Sequence, residues 1–118
     1  MKQEFYGSFL VGALLALTPA AAQPATATFG PQAQAGGDIF RAGGPPDIPA
    51  CAICHGSEAK GLGTAPRLAG KPEDYLVQQL YAFQRKTRVA EPMNNHAWDM
   101  TDQQIRSVAA YLSQLPSS

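Results

Sequence analysis

The feature that most constrains this chain is the run Cys51-Ala52-Ile53-Cys54-His55, which contains both cysteines of the 118 residues. In a C-x-x-C-H arrangement two thiols are spaced to reach the two vinyl groups of a haem, and the adjacent histidine is carried beneath the iron. A chain of this size builds one small domain, and a buried haem would add the apolar surface that such a core needs. The run therefore predicts one covalently bound haem c with its iron.

Three other interpretations of the cysteines are weaker. A redox dithiol of the thioredoxin type would need a βαβ context, which this helical sequence, rich in Pro and Gly, lacks. A simple disulfide between Cys51 and Cys54 is a second alternative, and zinc is a third, although His55 and His96 do not have the spacing of a zinc finger. Neither a disulfide nor zinc explains why a histidine directly follows the second cysteine.

The N-terminus predicts an export signal. Lys2 lies in a short polar start, residues 9–17 are apolar, and three alanines at 20–22 offer a cleavage site before Gln23. The apolar run is short for a helix that spans a membrane, which needs about 20 residues. We therefore expect a signal peptide over residues 1–22 and a periplasmic protein, whereas a retained signal would tether the domain to the membrane.

The rest of the chain divides into an arm and one domain. Residues 23–35 are rich in Ala, Pro, Gln and Thr and have no apolar period, which predicts a flexible N-terminal arm. We expect the folded haem domain to cover residues 36–118. Lys plus Arg and Asp plus Glu are 9 each, so the chain has no net charge and no basic surface that would favour nucleic acid.

The hydropathy pattern predicts an all-α domain with three main helices. The first runs from Gly36 to about Ala42, the second from Pro72 to about Lys86, and the third from Thr101 to about Leu115. No alternating pattern of a β-strand competes with them. The apolar stripe of the second helix needs a partner to cover it, and it consists of Tyr75, Leu76, Leu80 and Phe83.

The start of the third helix has two stabilising motifs. Thr101 and Gln104 have the spacing of a capping box, and Met100 and Ile105 have that of a hydrophobic staple. The staple gives Met100 a structural role at this position.

A six-coordinate iron needs a second axial ligand, and three residues downstream are candidates. Met93 is the best, because we expect it in a loop before the last helix, where a thioether can be presented to the haem. His96 is its rival, since a second imidazole would also bind iron. Met100 is better explained as core.

Together with the C-x-x-C-H run at 51–55, four segments of the sequence resemble a known family, the class I c-type cytochromes. Within it they resemble the periplasmic monohaem type that is similar to one half of the tandem dihaem cytochromes. The resemblance covers about residues 36–115. The run Asn94-Asn95-His96 is more polar than is usual in the family. The matching segments are IPACAICHG at 48–56, APRLAGKPEDYLVQQLYAF at 65–83, Arg88 with EPM at 91–93, and MTDQQIRSVAAYLSQL at 100–115.

The resemblance implies a role for individual residues. His55 would be the proximal ligand and Met93 the distal one, and the carbonyl of Pro66 would accept a hydrogen bond from the proximal histidine. Gly36, Phe40 and Tyr111 would lie where the first and last helices cross. Arg67, Tyr75 and Arg88 are candidates for the haem environment, near the propionates.

The expected function is electron transfer, with no catalytic site. Redox partner proteins would act as donor and acceptor, and neither can be identified from the sequence. The alternative is an electron-relay subunit of a dehydrogenase or oxidase complex, attached through the arm or a retained signal. The side chains that we expect against the porphyrin are Ile53, Leu68, Leu76, Leu80, Phe83 and Trp98.

Overall fold

The structure is a computed structural model, which describes Gly12 and residues 28–117. The predicted signal peptide, apart from Gly12, and residues 23–27 of the predicted arm lie outside the described residues. None of the helices described is long and apolar enough to cross a membrane.

The described chain folds into five helices. Three have 12 residues each, and they are α1 (Pro31–Ala42), α3 (Glu73–Gln84) and α5 (Asp102–Ser113). Two are short, α2 (Ala52–His55) and α4 (Met93–Trp98). Residues 28–117 contain no β-strand, only two isolated bridges in the connecting loops. The predicted all-α class with three main helices is confirmed.

Helix α1 begins earlier than the sequence predicted. Pro31 opens the helix, so residues 31–35, assigned above to a flexible arm, form its first turns instead, and the predicted start at Gly36 is wrong. Ala33 is only 2% exposed, and Phe29 packs against the core. The buried face of this part of the helix consists of Ala and Gly, which give little hydropathy signal although they allow close helix packing.

The ends of the other long helices follow local sequence signals. Helix α5 has the predicted capping box: Thr101 Oγ1 accepts from the backbone N–H of Gln104 at 3.1 Å, and Gln104 Oε1 accepts from the N–H of Thr101 at 2.9 Å. Helix α3 is one residue shorter at its start than predicted, because Pro72 is the N-cap rather than the first helical residue. Its predicted C-terminal end is also too long, since Arg85 is already the C-cap.

Helices α1 and α5 form the main interface of the fold. Gly36 lies so close to α5 that a Cβ atom on it would overlap the carbonyl group of Ser107. The rings of Phe40 and Phe29 lie 5.7 and 5.2 Å from the ring of Tyr111. The expectation that Gly36, Phe40 and Tyr111 lie at the crossing of the first and last helices is confirmed.

The opposite side of α5 is less completely filled. Helix α3 packs against α5 and α4, and α2 lies beside α1. These helices and the loop between α2 and α3 leave a cavity between them, and the side chains that line it are described next.

Candidate functional site

The cavity between these helices has a volume of about 540 Å³. That volume is in the range of pockets that hold small molecules and cofactors. Its lining is mostly apolar, and the aliphatic and aromatic side chains that form it are Ile48, Leu68, Leu76, Leu80, Phe83, Val108 and Leu112.

His55 reaches this cavity from the end of α2 and is only 5% exposed. Its Nδ1 lies 2.8 Å from the carbonyl oxygen of Pro66. Because a carbonyl oxygen only accepts hydrogen bonds, Nδ1 carries a hydrogen and is the donor, and in the neutral form of the ring this leaves the lone pair on Nε2. A neutral imidazole oriented in this way has the form of a metal ligand with a carbonyl partner behind it.

Pro66 is held in position by short-range backbone contacts. Leu62 and Ala65 form an antiparallel bridge immediately before it, and two residues after it the N–H of Leu68 donates to Ala59 O at 2.9 Å. The N–H of Gly61 donates to His55 O at 2.8 Å, so the loop returns to the end of α2. The predicted contact between Pro66 and His55 is therefore present.

Both cysteines line the same cavity as His55. Cys54 is exposed and Cys51 is half-buried, and burial raises the pKa of the Cys51 thiol to about 11. The thiolate is the reactive form of cysteine in redox exchange, so a thiol that stays protonated at neutral pH is poorly suited to the dithiol alternative. It is compatible with a thiol that lies against an apolar cofactor.

These residues fit a haem. The cavity has an apolar lining, two thiols at one wall and an imidazole whose Nε2 is available as a ligand. Among the described residues there is no cluster of three or more His, Cys, Asp or Glu that could hold a metal ion.

Met93 and His96 both line the cavity from α4. Met93 is the first residue of this helix, so the prediction that it lies in a loop is wrong, although it stands at the point where the loop ends. His96 follows almost one turn later, and both side chains are half-buried. Met100 is buried in the core together with its staple partner Ile105, and it also borders the cavity.

The three residues predicted near the propionates all border the cavity. Arg67 Nη2 donates to Pro116 O at 3.1 Å, whereas Arg88 Nη1 donates to Gln79 Oε1 at 2.6 Å. Tyr75 is partly exposed. Sequence reasoning did not select Lys71, a third cation at this border, whose Nζ lies 5.9 Å from the Tyr75 ring centroid.

Two of the six side chains predicted against the porphyrin do not line the cavity. Ile53 is 74% exposed on the single turn α2, although the cysteines on either side of it line the cavity. Trp98 is 60% exposed at the end of α4, where Lys86 Nζ lies 5.3 Å from its ring centroid. Leu68, Leu76, Leu80 and Phe83 do line it.

Val108 and Leu112 of α5 also line the cavity, and neither is among the side chains predicted against the porphyrin. The signal for burial was present in their spacing, but periodicity does not distinguish a side chain that packs on protein from one that packs on a cofactor.

The chain is similar to one family of known proteins and to individual members of it. The family model described as "Cytochrome c" matches residues 33–116. The chain is 52% identical over 68 residues to cytochrome c-552 of Acidithiobacillus ferridurans, which covers 58% of this chain and 30% of that protein. It is 38% identical over 79 residues to the thiosulfate dehydrogenase electron acceptor of Thiomonas intermedia, covering 65% of this chain and 36% of that protein.

The fold is similar to that of a solved structure. Cytochrome c4 of Acidithiobacillus ferrooxidans has a TM-score of 0.69 and 46% sequence identity to this chain, covering 72% of this chain and 51% of that one. The chain thus spans about a third of the length of the two curated relatives named above and half of the solved structure.

Proposed function

The chain belongs to the cytochrome c family, and from that premise we propose that it transfers electrons through one haem c bound to Cys51 and Cys54, with His55 and Met93 as axial ligands. When bound, the haem supplies a one-electron couple between ferrous and ferric iron. The chain's own residues would attach it, orient its ligands and keep water from most of its surface.

The observation that carries this proposal is the hydrogen bond from His55 Nδ1 to Pro66 O, at 2.8 Å. It supports the tautomer with the hydrogen on Nδ1 and holds the ring in one orientation, which leaves Nε2 as the nitrogen that would bind the iron. The neighbouring Cys51 and Cys54 border the same space, which supports attachment of the haem on the histidine side.

Met93 is proposed as the second ligand for two reasons. It lines the cavity at the start of α4, and a thioether ligand together with apolar surroundings raises the reduction potential, as an electron carrier of this kind requires. His96 on the same helix is the competing ligand, and it would give a bis-histidine iron with a lower potential.

The proposed setting is the periplasm, with redox proteins as partners. The predicted export signal supports it, because covalent haem proteins of this type act outside the cytoplasm. No residue of the chain is proposed to be catalytic. Arg67, Arg88 and Lys71 border the cavity and are proposed to pair with the haem propionates.

A second candidate is a relay subunit within a dehydrogenase complex. One relative is named a thiosulfate dehydrogenase electron acceptor, which favours a dehydrogenase as the electron donor. Size-exclusion chromatography of a native extract, with detection of haem absorbance, separates the two candidates: a free carrier elutes at the size of one small domain, and a subunit elutes with its complex.

Three single variants test the ligand assignment. Met93→Ala should retain covalent haem but become high-spin or take a substitute ligand, with a lowered reduction potential, because the axial ligand is a principal determinant of the potential. His96→Ala should keep the low-spin spectrum, and Met100→Leu should change it little. A wild-type spectrum and potential in Met93→Ala, together with loss of both in His96→Ala, would show a bis-histidine site.

A further inference from the structure

Asn94 follows the proposed ligand Met93 and is one of the few buried polar side chains, with 3% of its surface exposed. Its Nδ2 donates to Phe83 O at 2.9 Å and to Arg88 O at 2.8 Å. Its Oδ1 accepts from the N–H of Ala90 at 2.7 Å. Every hydrogen-bonding function of this amide except one acceptor lone pair is therefore used on the backbone.

These bonds connect the start of α4 to the segment before it. Phe83 lies near the end of α3, and Arg88 and Ala90 lie in the turn that joins the two helices. The N–H of Asn94 also donates to Ala90 O at 3.1 Å, so these two residues bind each other in both directions. One amide thus connects the end of α3, the turn and the start of α4.

The other end of α4 is held separately. Gln84 Nε2 donates to Ala97 O at 3.0 Å and to Met100 O at 2.8 Å. His96 lies next to this second attachment, whereas Met93 lies next to the first. The two candidate ligands of the iron are therefore anchored by different side chains.

We propose that Asn94 is a positioning residue that holds the start of α4 so that Met93, rather than His96, coordinates the iron. The proposal rests on the proposed function, because it takes Met93 as the ligand of the intact protein. Loss of the amide would leave Arg88 O and the N–H of Ala90 without this partner, whereas Phe83 O would keep the N–H of Lys86, at 3.2 Å. Arg88 O and the Ala90 N–H would recover hydrogen bonds to water if the turn and the start of α4 moved outward.

The test uses the haem-loaded protein and the variant Asn94→Ala. We expect added imidazole to displace the thioether from ferric iron about tenfold faster, which corresponds to ~1.4 kcal/mol. The charge-transfer absorption of the iron–thioether bond should weaken, and the potential should fall. If Asn94→Ala does not fold, Asn94→Ser keeps one donor and should give a displacement rate between the wild-type rate and ten times that rate.

Two matched variants separate positioning from general stability. Asn95→Ala alters the exposed neighbour on the same helix and should leave the rate unchanged. Gln84→Ala loosens the other end of α4 and should lower the melting temperature, with the charge-transfer absorption retained. If Asn94→Ala lowers the melting temperature but keeps the wild-type rate and absorption, the residue is only structural and the proposal is wrong.

Failure of the proposed function would be seen in the wild-type protein and not in the Asn94 variants. If the wild-type protein itself has no iron–thioether absorption, then Met93 is not the ligand, and both the ligand assignment and the role of Asn94 are wrong. If the wild type has the absorption and the Asn94 variants do not change it, the assignment of Met93 as ligand stands and only the proposed role of Asn94 is wrong.

Discussion

The two sides of α5 differ in what they pack against. On one side α1 crosses α5 through Gly36 and the rings of Phe40 and Tyr111, and protein atoms fill the interface. On the other side Val108 and Leu112 face a cavity of about 540 Å³ bordered by α3 and α4. The first interface is complete in the polypeptide alone, whereas the second is completed by a haem. The following predictions test this difference.

The largest effect is expected from removal of the attachment. Cys51→Ala with Cys54→Ala should abolish covalent haem, so that haem-dependent peroxidase staining disappears from denaturing gels. Hydrogen exchange should then show lost protection in α3 and α4 and more protection retained in α1 and α5, because protein atoms fill the interface of the latter pair whereas α3 and α4 border the cavity. The control Ile53→Ala changes an exposed residue between the two cysteines and should keep the stain. Equal loss of protection in all helices would contradict the difference between the two sides of α5.

The next largest effect concerns the closed interface. Gly36→Val should destabilise the protein by about 3 kcal/mol or more, because its side chain would overlap the backbone of α5 at Ser107. The overlap can be relieved only if the two helices move apart and lose other packing contacts. Denaturant unfolding of the haem-loaded protein measures this. Gly44→Ala is the control, since its Cβ would meet Ile39 and Gln104 atoms at 3.5 and 3.8 Å, an ordinary contact.

A smaller effect is expected at the start of α5, which serves both sides. Thr101→Ala removes the side-chain acceptor for Gln104 N–H and should cost ~1 kcal/mol of unfolding free energy. Thr101→Ser keeps the hydroxyl and should cost less. The reduction potential should be unchanged in both variants, and a shifted potential would mean that the cap also acts on the haem side.

The smallest effect is a pH dependence at the contact between α3 and α5. Tyr81 donates to Asp102 Oδ1 at 2.9 Å, and this hydrogen bond raises the pKa of Tyr81. The bond contributes stability that is fully present below the unfolded pKa of about 10 and is lost as the pH rises through the higher folded value.

Ultraviolet titration of the Tyr81 phenol measures this raised pKa. Asp102→Asn should lower the pKa of Tyr81 toward its ordinary value, whereas Asp99→Asn, at an exposed position outside this contact, should not change it. An unchanged titration in Asp102→Asn would show that the carboxylate does not control the phenol.

The sequence predicted features that depend on local chemistry. The capping box at Thr101 and Gln104 and the staple residues Met100 and Ile105 could be found because their spacing along the chain is fixed by one turn of helix. The start of α1 could not, because Ala33 and Gly36 are buried by their small size rather than by hydrophobicity. Trp98 and Ile53 were misjudged for the reverse reason: both are strongly apolar and both are exposed.

The haem-attachment motif follows from the order of residues alone, because vinyl spacing and the adjacent ligand require Cys51, Cys54 and His55 close together along the chain. The side chains that surround that motif follow instead from the way the helices pack. Pro66 orients His55 across a loop, and Asn94 joins three backbone segments, and such contacts depend on where separate elements pack rather than on the order of residues. Tertiary structure also decided that Met93 and His96 border one cavity, since helix packing alone brings α4 to the haem side.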